Sequence, residues 1–266
     1  MQTIARMQGL TKRYGEFVAV EGLDLQILQG EVFALLGPNG AGKTTTIRML
    51  MGTLQPTGGS ACVNGFDCFA ERAQVMRHVG YLPDEPVFYD YLTGREILQF
   101  VADMRGLPAR ETAELLGPLL EQLDLAEAMG EYAVNYSRGM KKKLALACAL
   151  LHQPDLLILD EPTNGLDPYA TRAVHELIRR HVASGMSVFF STHLLDQAER
   201  LCDRAGILYR GKLAAVGRLE ELRASLAVGG SLEEIFFSVT SGAGMAGNGQ
   251  AGRPTGASSG DAERPS

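Results

Sequence analysis

The stretch Gly37-Pro38-Asn39-Gly40-Ala41-Gly42-Lys43-Thr44-Thr45 constrains the fold of this chain more than any other. It fills every fixed position of the pattern G-x-x-x-x-G-K-[ST]. Glycines there let the backbone wrap a phosphate, so that successive N–H groups and a helix N-terminus face its charge. The context agrees with the motif. Residues 31–36 before it form an apolar run of strand length, and residues 44–51 after it carry a helical pattern that Gly52 ends. An ordinary glycine turn between strand and helix is the plain alternative, and a complete motif in this setting weighs against it. The spacing predicts a nucleoside triphosphate site in which Lys43 reaches the β- and γ-phosphates and the Thr44 hydroxyl holds Mg²⁺.

Bulk properties narrow the class. A chain of 266 residues buries roughly three quarters of the surface its unfolded form exposes. A net charge of −6 argues against a nucleic-acid partner, which favours a basic balance. No apolar run approaches the roughly 18 residues that span a bilayer, and the N-terminus has no signal-peptide core. Cys62, Cys68, Cys148 and Cys202 are scattered without Cys-x-x-Cys spacing, which fits idle or buried thiols in a reducing compartment better than a metal site. The expectation is a cytoplasmic protein, taken elsewhere only by a partner.

Short apolar runs at residues 4–10, 17–20 and 23–28 alternate with turns, and residues 59–64 follow the turn Pro56-Thr57-Gly58. This predicts an N-terminal antiparallel β subdomain. Helical signals dominate residues 93–152. Thr93-Gly94-Arg95-Glu96 fits a capping box, followed by Ile97, Phe100, Val101 and Met104 at helical spacing. Pro108 opens a second helix with Leu115, Leu116, Leu119, Leu120 and Leu123 along one face. From residue 156 onward, strand-length runs at 156–159, 187–191 and 205–209 alternate with helices, the mark of a parallel sheet covered on both faces. The fold class expected is α/β: a phosphate-loop NTPase core with a mainly parallel sheet, an N-terminal antiparallel β subdomain and an inserted α-helical subdomain at about residues 86–152. Residues 232–239 read as a last short helix ending the domain of residues 1–239. Residues 240–266, rich in Gly, Ala and Ser, are expected to be disordered.

Two downstream segments carry chemistry. Leu156-Leu157-Ile158-Leu159-Asp160-Glu161 is an apolar strand ending in two carboxylates, at the edge where a parallel sheet gathers its ligands. Asp160 suits a Mg²⁺ ion, directly or through water, and Glu161 is placed to polarise a water attacking a γ-phosphate. Before it lies Asn135-Tyr136-Ser137-Arg138-Gly139-Met140-Lys141-Lys142-Lys143. Ser137 is a good helix N-cap. The lysines oppose the helix dipole unless an anion approaches this end, and both a solvated face and phosphate contact stay open for them.

The order of phosphate loop, Ser137-Arg138-Gly139, strand-Asp160-Glu161, Gly165-Leu166-Asp167 and Thr192-His193 resembles the ATP-binding cassette of ABC transporters, over residues 3 to about 239. The resemblance implies two cassettes stacked head to tail, each ATP lying between one phosphate loop and the partner's signature. On that pattern Tyr14 stacks on adenine, although a plain sheet aromatic remains open. Gly37, Pro38, Asn39, Gly40, Ala41, Gly42, Lys43, Thr44 and Thr45 hold the phosphates, and Ser137 and Gly139 touch the γ-phosphate across the dimer. Glu161, His193 and Lys43 are the catalytic set, with His193 holding the γ-phosphate and the attacking water. Thr44, Asp160 and Asp84 are the metal set, and Asp167 links the two sites. The cofactors implied are ATP and Mg²⁺. His78, His152, His175 and His181 have no such context and read as ordinary residues.

The chain departs from the family pattern at two places. Arg138 and Met140 stand where the signature usually carries glycine and glutamine, a variant similar to bacterial exporters whose cassette is separate from the membrane subunit. Asp84 stands at the usual glutamine, one methylene shorter and charged, so that it binds the metal more strongly or misses it. The function implied is the ATP-hydrolysing subunit of an ABC transporter of exporter type. It would lie peripheral to the inner face of the cell membrane, with integral membrane subunits and a second cassette as partners. A homodimer is expected, a heterodimer is open, and nucleic acid is not a partner. The alternatives are a soluble cassette ATPase acting in translation or DNA repair, which the single phosphate loop and absence of heptads disfavour, an inactive regulatory cassette, and an import cassette.

Overall fold

A computed structural model describes residues 2–225 and 231–246. In chain order the elements are β1 (Thr3–Tyr14), β2 (Phe17–Leu28), β3 (Val32–Leu36), α1 (Lys43–Leu50), β4 (Gly58–Val63), β5 (Phe66–Asp67), α2 (Arg72–His78), β6 (Val79–Leu82), α3 (Gly94–Met104) and α4 (Ala109–Gln122). They continue with α5 (Arg138–Leu150), β7 (Leu156–Asp160), α6 (Pro168–Ala183), β8 (Ser187–Thr192), α7 (Leu195–Leu201), β9 (Arg204–Tyr209), β10 (Lys212–Arg218), α8 (Leu219–Ser225) and α9 (Leu232–Ala246).

Two sheets result. One is antiparallel with strand order β2-β1-β4-β5. The other runs β10-β9-β3-β8-β7-β6, parallel except where β10 turns back along β9. This is the α/β architecture expected from the alternating runs. The central strands alternate between two buried faces, so they read as unbroken apolar runs. Val32, Ala34 and Leu36 of β3 join Leu157 and Leu159 of β7 and Val188 and Phe190 of β8 in one cluster. Phe33, Leu35, Leu156, Ile158 and Phe189 face the other.

Register decides where chemistry gathers. Leu36 pairs with Thr192, Asp160 with Ser191 and Leu82 with Leu159. The C-terminal ends of β3, β6, β7 and β8 therefore lie side by side, although β6 and β7 are separated in sequence by α3, α4 and α5. The capping box at Thr93 is present: Glu96 N–H donates to the Thr93 hydroxyl at 3.3 Å, and Thr93 N–H donates to the Glu96 carboxylate at 2.8 Å. Helix α3 buries Ile97, Leu98 and Ala102, leaving Phe100 50% and Met104 73% exposed. The apolar spacing read there marks two faces, only one of them turned to the core. Helix α9 runs on to Ala246, past residue 239, where a short helix was expected to stop. Residues 247–266, the remainder of the tail expected to be disordered, lie outside the described residues.

Candidate active site

The phosphate loop leaves β3 and enters α1 with Gly42 at φ 109°, a left-handed turn that strains any residue with a Cβ. A Cβ at Gly42 would also stand 2.5 Å from the Ala19 carbonyl oxygen. The loop is tied to β9–β10 by Gly211 N–H donating to Ala41 O at 3.0 Å. Lys43 is buried, and its ammonium donates to Gly37 O at 2.8 Å and Pro38 O at 3.3 Å, folding the loop back around its own side chain. A third contact at 3.4 Å goes to Glu161 Oε1.

The strand end supplies the acids. Asp160 is buried, accepts from Thr44 Oγ1 at 2.9 Å, and also accepts from Ser191 Oγ on the neighbouring strand. Glu161 has φ 49°, unusual for a residue with a side chain. Its N–H donates to Ser191 O at 3.0 Å, and its Oε2 lies 3.0 Å from His193 Nδ1. Lys43, Glu161 and His193 thus form one connected set, with the half-exposed His193 ring on its outer side.

Tyr14, Phe17, Asn39, Gly40, Gly42, Lys43, Thr44, Thr45, Asp84 and Glu161 surround a cleft of about 280 Å³. Tyr14 sits half-exposed at its rim, 5.1 Å from the Lys12 ammonium. Ser137 and Gly139 do not line this cleft. Ser137 caps α5, accepting from Met140 N–H at 3.2 Å, and Gly139 faces Leu166. Asp167 caps α6, accepting from Tyr169 and Ala170 N–H at 2.9 Å each, and those two donors hold its carboxyl below the usual range.

The cations at the start of α5 find the anions that their dipole position demands. Arg138 lies 3.7 Å from Glu85, Lys141 3.9 Å from Asp90, Lys142 3.5 Å from Asp84 and Lys143 3.8 Å from Asp124. Neither reading of the lysines from sequence holds for Lys142, which is 1% exposed and faces protein carbonyls. Burial pulls its ammonium below the ordinary lysine value, with Asp84 opposing the shift. Asp84 also accepts from Asn164 Nδ2 at 3.2 Å. Sequence reasoning singled out Lys142 only as one of three similar lysines, and it missed Ser191 and the role of Asn164. A hydroxyl at the tip of an apolar strand was the available signal for Ser191; Asn164 had none.

Comparisons with known proteins agree with this arrangement. The ABC transporter family profile matches residues 20–164. The probable multidrug ABC transporter ATP-binding protein YbhF of Escherichia coli is 39% identical over 226 residues, covering 85% of this chain, which spans only 39% of that relative's length. YxlF of Bacillus subtilis, an ABC transporter ATP-binding protein, is 42% identical, covering 82% of this chain and 72% of its own. The bacitracin transport ATP-binding protein BcrA of Bacillus licheniformis is 40% identical, covering 80% and 69%. Among solved structures, an ATP-binding subunit of an ABC transporter superposes with TM-score 0.85 at 36% identity, covering 90% of this chain and 100% of its own. These relatives are named as transporter subunits, which weighs against a soluble ATPase of translation or repair. The chain belongs to the ABC transporter family and is similar to its ATP-binding subunits.

Proposed function

We propose that this cassette drives export through separate integral membrane subunits, working as one of a pair. The observation that carries the reading is the division of the motifs. Lys43, Thr44 and Glu161 line one cleft, with Asp160 bonded to Thr44 and His193 against Glu161, while Ser137 and Gly139 do not line it. A second cassette that presents its own Ser137 and Gly139 would close the cleft over the γ-phosphate.

Within the closed site the Glu161 carboxylate accepts the proton of the attacking water as the water oxygen bonds to the γ-phosphorus. The β–γ bridging oxygen then leaves with ADP. Lys43 stabilises charge on the phosphates and His193 orients the water and γ-phosphate. Thr44, Asp160 and Asp84 offer only oxygen donors, and the 2.9 Å bond between Thr44 and Asp160 puts two of them side by side, a set that fits Mg²⁺. That ion would neutralise charge on the transferring phosphate.

A membrane partner is supported by a second feature. An apolar groove of about 530 Å³ lies between residues 81–92, α3 and α5, lined by Phe88, Leu92, Ile97 and Phe100, with Val87 90% exposed beside it. No helix of the described residues is long and apolar enough to cross a membrane. The groove suits a short helix from an integral membrane subunit, which would hold the cassette against the inner face of the membrane. Export, rather than import, is supported by the names of YbhF and BcrA.

The test is co-purification of the tagged protein from solubilised membranes, followed by ATPase measurement on the complex. Integral membrane subunits that raise turnover support the reading. Recovery of soluble or ribosomal partners alone would overturn it.

A further inference from the structure

Lys142 is a buried cation whose place on its own helix does not explain it. It stands near the N-terminus of α5, where positive charge opposes the dipole. Its ammonium donates to Glu161 O at 2.6 Å and Asn164 O at 3.0 Å, and lies 3.5 Å from Asp84 Oδ1. Two carbonyl acceptors and one carboxylate at ion-pair distance therefore surround the ammonium.

Glu161 is the residue this arrangement serves. Its left-handed φ of 49° is unfavourable for a side-chain-bearing residue and persists only where surrounding contacts impose it. The peptide before it is held by Glu161 N–H donating to Ser191 O at 3.0 Å. The peptide after it is held by Lys142 through the Glu161 carbonyl. With both flanking peptide planes fixed, the Cα–Cβ bond is aimed and the carboxylate is delivered to Lys43 and His193.

We propose that Lys142 is a positioning residue for hydrolysis, holding the main chain of Glu161 in the left-handed conformation that aims its carboxylate into the nucleotide cleft and tying that main chain to Asp84. The proposal rests on the reading of Glu161 as the residue that takes the proton from water.

The test compares K142M, which keeps the stem and removes the donors, with K142R, which keeps the charge. Misaiming a catalytic group by about 1 Å costs on the order of 100-fold. K142M is therefore expected to lower kcat about 10- to 100-fold while KM for ATP stays within about twofold, and K142R to recover part of the loss. Amide exchange across residues 160–166, measured on the protein without nucleotide, must quicken in K142M. Unchanged exchange, an unchanged kcat, or a loss confined to KM overturns the proposal. If K142M does not fold, the same measurements on D84N/K142M against D84N decide, because no carboxylate at position 84 is then left without its cation. E161Q assayed alongside separates the two ideas. An active E161Q removes the reading of Glu161, whereas an inactive E161Q with a fully active K142M removes only the role of Lys142.

Discussion

Lys43 Nζ lies 3.4 Å from Glu161 Oε1, and both side chains are buried. The lysine proposed to meet the phosphates and the carboxylate proposed to meet the water are thus one ion pair. On that proposal a triphosphate entering the cleft would compete with Glu161 for the Lys43 ammonium, linking nucleotide binding to the placement of the carboxylate.

Replacing Glu161 by Gln keeps the shape and removes the proposed base. E161Q is expected to bind ATP, to lower turnover by about 10²–10⁴-fold and to accumulate ATP-bound dimers. Single-turnover hydrolysis and gel filtration with ATP check this, and near-normal turnover would exclude Glu161 from the role.

Removing one partner of a buried pair costs about 3 kcal/mol because the other charge is left uncompensated. K43A is accordingly expected to lose ATP binding and to unfold at lower denaturant than the parent protein. K43A/E161Q should recover stability without recovering binding. Urea titration of both variants gives the answer; equal stability of the two would mean that the pair is not coupled.

Ser137 and Thr93 cap two different helices through side-chain oxygens. S137A and T93A are each expected to lose about 1 kcal/mol of stability. Only S137A should lose ATP turnover, because in the proposed pair Ser137, unlike Thr93, closes the partner's cleft. Parallel ATPase losses in both would reduce Ser137 to a cap.

Asp84 borders the cleft and is held by Lys142 and Asn164. Its carboxylate is expected to keep a metal and coupling role, so D84A should raise the Mg²⁺ concentration needed for half-maximal hydrolysis and weaken stimulation by the proposed membrane subunits. If rate, Mg²⁺ dependence and stimulation are all unchanged, Asp84 has no such role.

His152 shows the same physics in a structural position. Burial, with the field of Arg105 behind it, lowers its pKa to about 4 from 6.5, and Nδ1 is buried without a hydrogen-bond partner among the described residues. The protonated form is favoured in the unfolded chain, so the fold loses stability as pH falls from about 6.5 and stops losing it below about 4. H152Q retains a donor for the Val79 carbonyl and removes this proton uptake. Its unfolding free energy should fall less between pH 7 and pH 4.5 than that of the parent; equal slopes would exclude His152 as the cause.

Much of the fold was legible because its signals are local. The buried strands are apolar on both faces, the capping box at Thr93 sits in four consecutive residues, and the phosphate loop is a contiguous motif. The extra exposed face of α3 was harder to read, because spacing reports periodicity and not which neighbour covers each stripe. Phe100 and Met104 look like core residues until the position of the 81–92 segment is known.

The chain by itself determined which residues are chemically equipped. Lys43, Thr44, Asp160, Glu161 and His193 each lie in a short motif whose residue types imply the role. Tertiary structure alone decided how they act together. The parallel register of β3, β7 and β8 sets Thr44 against Asp160, and Lys43 and His193 against Glu161. It also turned Lys142 from one of three similar lysines into the cation bonded to the Glu161 carbonyl. A lysine's charge is written in the sequence, but its partners depend on which carbonyls and carboxylates the fold brings within about 3 Å, and that distance is set by packing across segments far apart in the chain.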